Sequence, residues 1–149
     1  MSPSALRPAV AKSSLAVASW QECLLVLVRA LHDAGRVATV DEPYRRLLER
    51  EAVASTALGG GIALPHARTP ASPEATMAVA RLVPAVDFRA PDGAPVDLVF
   101  LLVGPPEAPG EHVRILARVA RLAQRPSVLE DLRAAGDDDR FRAVLEREL

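Results

Sequence analysis

The chain has one cysteine, one lysine and almost no net charge, and each shortage excludes something. Cys23 has no second thiol with which to form an intramolecular disulfide. It sits in an apolar helical pattern and reads as a buried thiol rather than a nucleophile or ligand. Eighteen basic residues face nineteen acidic ones, for a formal charge of −1. The two signs are scattered, so neither a polyanion-binding surface nor an acidic tail is indicated, and nucleic acid is not an expected partner. Lys12 is the only lysine. With arginine as every other basic residue and alanine abundant, the composition points to a genome of high GC content rather than to an activity. No apolar stretch is long enough for a signal peptide or a membrane span, so the chain reads as cytoplasmic, without membrane insertion. No internal repeat is visible.

What remains is a chain of 149 residues, half hydrophobic and a quarter charged. That is enough for one α/β or α+β domain with a proper core, and too little for two. Residues 1–14, rich in Ser, Pro and Ala, are expected to form a flexible leader, with the domain over 15–149. Trp20, Cys23, Leu24, Leu27, Val28 and Leu31 recur at helical spacing, and Gly35 is placed to stop that helix. His32 in its last turn suits the helix dipole and is set aside as structural. Asp41 is a candidate cap for a second helix, with Pro43 in its first turn, that runs to about Ala52. Strands are expected at Ile62–Leu64 and Thr76–Val83. Val96–Val103 is apolar throughout, as a central strand covered on both faces should be. A helix follows with His112, Ile115, Leu116, Val119 and Leu122 on one side and Arg114, Arg118, Arg121 and Arg125 on the other, the arginines reading as a solvated face. Ser127 with Glu130 has capping-box spacing for the next helix, and Asp137 is placed to start the last.

The stretch from Arg50 to Arg68 carries the chemistry. A charged helix end gives way to Ser55–Thr56 and the glycines Gly59–Gly60–Gly61; then Ile62–Ala63–Leu64 stops at Pro65 and delivers His66. Pro65 fixes its own φ and pushes Leu64 into extended geometry, so the histidine is aimed. His66 and His112 both follow expected strands, and the crevice beyond strand ends is where ligands collect in α/β sheets. Gly61 and its neighbours, the hydroxyls of Ser55 and Thr56, and the Arg50 guanidinium are the donors that would hold a phosphoryl dianion. No lysine follows the glycines as in a nucleotide-binding P-loop. A structural role for each remains the alternative: a surface ion pair of Arg50 with Glu49 or Glu51, a helix-start core residue for His112, a turn or cap for Thr56.

In these residues the sequence resembles the IIA domains of the fructose–mannitol class of the bacterial phosphoenolpyruvate-dependent phosphotransferase system, which include nitrogen-related regulatory IIA proteins. The resemblance runs from about Trp20 to the C-terminus. It rests on Arg50–Glu51, Ser55–Thr56, Gly61–Ile62–Ala63–Leu64–Pro65–His66–Ala67–Arg68, Asp87–Phe88, Pro91–Asp92–Gly93, Val96–Leu102 and Glu111–His112. It implies a mixed, mostly parallel sheet flanked by helices. It also implies that His66 accepts a phosphoryl group from HPr or an HPr-like carrier and passes it on, to a IIB domain for example, or holds it as a signal. No cofactor and no metal is called for. Arg50 and His112 are the residues to supply positive charge and orientation. Leu58, Ile62 and Leu64 are expected to form an apolar docking rim, with Arg68 steering the partner. Val53–Ala54 and Ala67 stand where many relatives carry glycine, which leaves the regulatory and the sugar-specific subgroup both open. A non-catalytic IIA-like module that controls a transporter or kinase by docking is the alternative function. A metal-dependent hydrolase using both histidines ranks last, since no Cys, Asp or Glu spacing completes its site.

Overall fold

The computed structural model describes residues 7–149. In chain order the elements are β1 (Val10–Leu15), α1 (Trp20–Asp33), α2 (Asp41–Val53), β2 (Ala57–Gly59), β3 (Ile62–Ala63), β4 (His66–Arg68), β5 (Thr76–Val86), β6 (Val96–Gly104), α3 (Pro109–Leu122), α4 (Pro126–Ala134) and α5 (Asp138–Glu148). One mixed sheet runs β1-β5-β6-β3-β2, with β4 also paired to β6. Strands β1 and β5 are parallel, as are β3 and β4 with β6; the β5–β6 and β2–β3 pairs are antiparallel.

Strand β6 organises the rest. Every one of its residues except Asp97 is buried. Because side chains alternate across a sheet, Val99, Leu101 and Val103 enter the core shared with α1 and α2, while Leu98, Phe100 and Leu102 enter the one shared with α3, α4 and α5. Helix α1 buries Cys23, Leu24, Leu27, Val28 and Leu31 as its period predicts, while Trp20, expected on the same face, is only partly buried against that core. Burial, followed by the nearby Glu22 charge, pushes the Cys23 thiol up to about 12, which leaves it inert.

Several local expectations are corrected. The leader expected over 1–14 is a sheet strand from Val10 onward, since β1 pairs with β5 from Val10↔Ala78; residues 1–6 lie outside the described residues. Asp41 does not cap α2: Val40 precedes the helix, with no side-chain cap bond. Ser127 lies inside α4, which starts at Pro126 with Arg125 in the cap position, so its hydroxyl comes two residues too late to cap. Asp137 does cap α5, accepting from the Arg140 N–H. The strand expected at Ile62–Leu64 is Ile62–Ala63 alone, the chain resuming as β4 at His66 after Leu64–Pro65, and β5 extends three residues past Val83.

Candidate functional site

Strand β4, the last turns of α2 and the first turns of α3 enclose a cleft of about 720 Å³. Helix α2 contributes Arg46, Glu49, Arg50 and Val53; β4 contributes His66, Ala67 and Arg68; α3 and the loop before it contribute Pro106, Pro109, His112, Val113 and Leu116. The break at Pro65 gives the histidine its place. Proline has no N–H to donate, and its carbonyl accepts from the Leu102 N–H of β6 at 2.9 Å, which anchors the chain one residue before His66. The His66 ring then turns back so that Nδ1 lies 2.8 Å from the Leu64 carbonyl. A carbonyl can only accept, so Nδ1 carries the proton and Nε2 is the bare nitrogen.

His112 lies on the opposite wall, its ring centroid 5.5 Å from that of His66 at an interplanar angle of 56°. It is 7% exposed, and its Nδ1 is buried without a partner. Burial above all, then the charges of His66 and Arg68, pull its pKa down to about 4, so this ring is neutral at neutral pH. Burial also lowers the pKa of His66; the bond to Leu64 and the Glu51 charge oppose that shift, and Arg50 reinforces it. The cleft therefore holds two neutral imidazoles beside the guanidinium groups of Arg46, Arg50 and Arg68. Arg50 makes no ion pair with Glu49, which Arg45 engages, but donates to the Ala54 carbonyl at 2.8 Å and so closes the end of α2. Arg68 donates to the Pro106 carbonyl at 3.4 Å. Among the described residues, no three His, Cys, Asp or Glu side chains come together as a metal cradle.

The structure brings His66, His112, Arg50 and Arg68 to one cleft and leaves the other candidates outside it. The Ser55 hydroxyl donates to the Phe88 carbonyl and accepts from the Ala57 N–H. Thr56 spends its hydroxyl on Glu51, at 2.6 Å. Gly61, at φ 84°, is packed so closely that a Cβ there would lie 2.8 Å from Asp97 Oδ1 and 2.9 Å from Arg133 Nη2. The Ser55 and Thr56 hydroxyls are thus engaged within the hairpin and its supports, and none of the three residues lines the cleft. Ile62 and Leu64 are buried in the core under α3–α5 and cannot form a rim. Leu58 is 48% exposed, but on β2 and outside the cleft lining. The exposed apolar residues flanking His66 are instead Val53, at 83%, and Val113, at 63%. A signal for Val53 was present: Arg46, Arg50 and Val53 share one face of α2 by helical spacing.

Residues 6–148 match the family described as "Phosphoenolpyruvate-dependent sugar phosphotransferase system, EIIA 2". The chain belongs to this family. Among relatives, it is similar to a nitrogen regulatory protein of Bradyrhizobium diazoefficiens, at 42% identity over 68% of this chain and 67% of the relative. It is also similar to the fructose-specific EIIA component of Haloferax volcanii, at 38% identity over 76% of this chain and 73% of the relative. Among solved structures, the nitrogen regulatory protein IIA-Ntr of Neisseria meningitidis superposes with a TM-score of 0.77 at 31% identity, covering 89% of this chain and 90% of that one. The mixed sheet flanked by helices is thus an EIIA fold, and the chain is a phosphotransfer component of that system. No helix among the described residues of this EIIA protein is long and apolar enough to cross a membrane.

Proposed function

We propose that this EIIA protein works in the cytoplasm and carries a phosphoryl group on Nε2 of His66, received from the phosphohistidine of HPr or an HPr-like carrier. What carries the reading is the bond from Nδ1 of His66 to the Leu64 carbonyl, which leaves Nε2 as the lone-pair nitrogen of a ring that lines the cleft. In the transfer the Nε2–P bond forms as the N–P bond of the carrier breaks, and the carrier imidazole leaves with the electron pair. His66 has no proton to lose at Nε2, so no general base is needed. The loose transition state spreads charge over the equatorial phosphoryl oxygens, and preorganised positive charge is what stabilises it. Arg50 supplies that charge and His112 orients the group, with Arg68 at the mouth. The N–P product stays reactive enough to be handed on to a IIB domain or held as a signal.

Incubation with phosphoenolpyruvate, enzyme I and HPr, followed by intact mass and peptide mapping, tests this. One phosphoryl group on His66, absent in His66→Ala, is the expected result; a folded His66→Ala protein that still gains phosphate overturns it. A regulatory role, in which the phosphoryl group switches docking to a transporter or kinase, is favoured by the similarity to the Bradyrhizobium protein. Transfer from the phosphorylated protein to a IIB domain separates that role from sugar uptake.

A further inference from the structure

Glu51 is 1% exposed, a depth at which a carboxylate is rare, and it lies in the last turn of α2, where the helix dipole disfavours negative charge. An apolar side chain would fill the space without that desolvation cost. The carboxylate is nonetheless fully used: Oε2 accepts from the Thr56 N–H at 2.7 Å and Oε1 from the Thr56 hydroxyl at 2.6 Å. The Thr56 carbonyl in turn accepts from the Leu64 N–H at 3.2 Å, and the Leu64 carbonyl is the group that holds Nδ1 of His66. A continuous series of hydrogen bonds therefore runs from the end of α2, through the residues just before β2 and just after β3, to the imidazole.

A second strained feature ends on the same residue. Arg89 is the only non-glycine among the described residues with positive φ, at 55°. Its guanidinium donates to the Glu51 carbonyl and lies 5.1 Å from the centre of the Trp20 ring. Left-handed backbone at a long side chain persists only where its surroundings hold it.

We propose that Glu51 and Thr56 are positioning residues of the phosphoryl-accepting site: Glu51 fixes Thr56, Thr56 fixes Leu64, and Leu64 holds the His66 ring with its proton on Nδ1. The inference rests on His66 being the acceptor. Neither residue touches the phosphoryl group. Their effect is to keep one tautomer and one ring orientation ahead of the reaction, which is where misplacement of a nucleophile costs rate.

Phosphoramidate is a donor that needs no docking surface: the Nε2–P bond forms, the P–N bond of the donor breaks, and ammonia leaves. Wild type, Thr56→Val, Thr56→Ser and Glu51→Gln, each checked for a folded amide spectrum, would be labelled with it and their histidine nitrogen shifts recorded. In wild type, His66 should show a protonated Nδ1 and take up the label. Thr56→Val should be labelled on the order of ten-fold more slowly and show the other tautomer appearing, since misplacement by a fraction of an ångström has that scale of effect. Thr56→Ser, which keeps the hydroxyl, should restore both. Glu51→Gln has one acceptor oxygen for two donors and should move in the same direction as Thr56→Val. If Glu51→Gln does not fold, the Thr56→Val and Thr56→Ser pair decides. Wild type that is not labelled on His66 overturns the acceptor reading and this series with it. Labelled wild type together with a Thr56→Val protein of unchanged tautomer and rate, or slowed labelling that Thr56→Ser does not restore, overturns the positioning role alone.

Discussion

A histidine nucleophile works only while its attacking nitrogen keeps its lone pair, so the depression of the His66 pKa below the ordinary 6.5 has a direct kinetic consequence. The acid limb of the labelling rate should lie below pH 6.5, with rates from pH 8 down to that point nearly flat; a limb above 6.5 would contradict the burial that lowers it. His112 acts on stability as well. Its unfolded value of 6.5 drops to about 4 in the fold, so the unfolded chain binds the proton first as pH falls. The stability of the neutral ring is fully present above pH 6.5 and is lost between there and about 4. Urea midpoints of wild type should fall through that window, and His112→Gln should show a shallower fall; parallel curves would mean His112 is not the titrating group. In transfer itself His112→Ala should slow labelling by roughly a hundred- to a thousand-fold without abolishing it, the scale of losing one preorganised donor. Stoichiometric phosphate on His112 in wild type would reverse the assignment.

At the scale of elements, α2 and α3 each bring one exposed valine to the mouth of the cleft, and in the proposed transfer a carrier histidine would pass between them. Val113→Asp should therefore raise the HPr concentration needed for half-maximal labelling far more than it lowers the saturated rate, the pattern of lost uniform binding. Leu58→Asp, on β2 and away from the cleft, should leave both unchanged; the opposite result would move the docking surface to the hairpin. That the exposed apolar residues lining the cleft are Val53 and Val113 rather than Leu58, Ile62 and Leu64 shows where sequence reading stops. Regular periods betray α1, α3 and β6, because burial on one face or both imposes the pattern directly. Strand β1, Val-Ala-Lys-Ser-Ser-Leu, is polar enough to pass for a leader and exists through pairing with β5, far along the chain, from Val10↔Ala78 to Leu15↔Leu82. That His66, His112 and Arg50 come to one cleft was legible from residue type and place. That Ser55, Thr56 and Gly61 lie outside the cleft was not legible, because proximity in sequence does not say which way a hydroxyl points, and Phe88, Glu51 and Asp97, which engage or crowd them, are found only in the fold.

For the molecule as a whole, the two ends of the described chain meet at the β1 edge of the sheet, two strands away from β6 and the cleft. The Ser13 N–H and hydroxyl both donate to Asp138 Oδ1, at 2.8 and 2.9 Å, across 125 residues of sequence, and Arg142 donates to the Pro8 carbonyl. The Ser13 N–H first, then its hydroxyl, hold the Asp138 carboxyl below the usual 3.8, with Lys12 and Arg142 assisting. Such bonds to a charged group in a partly exposed position stabilise by about 1 kcal/mol once solvent screening is allowed for. Asp138→Ala should lower Tm by roughly 2–4 °C for a domain of this size. The contribution of the ionised carboxylate is present above pH 3.8 and is lost as pH falls through its lowered folded value, so the gap between wild type and Asp138→Ala should close in acid and stay constant from pH 5 to 8. Labelling of His66 by HPr should be unaffected, because β5 and β6 stand between this clasp and β4. A folded Asp138→Ala protein with slowed labelling would mean that the two edges of the sheet are coupled, and the closure of the chain ends would then belong to the function as well as to the fold.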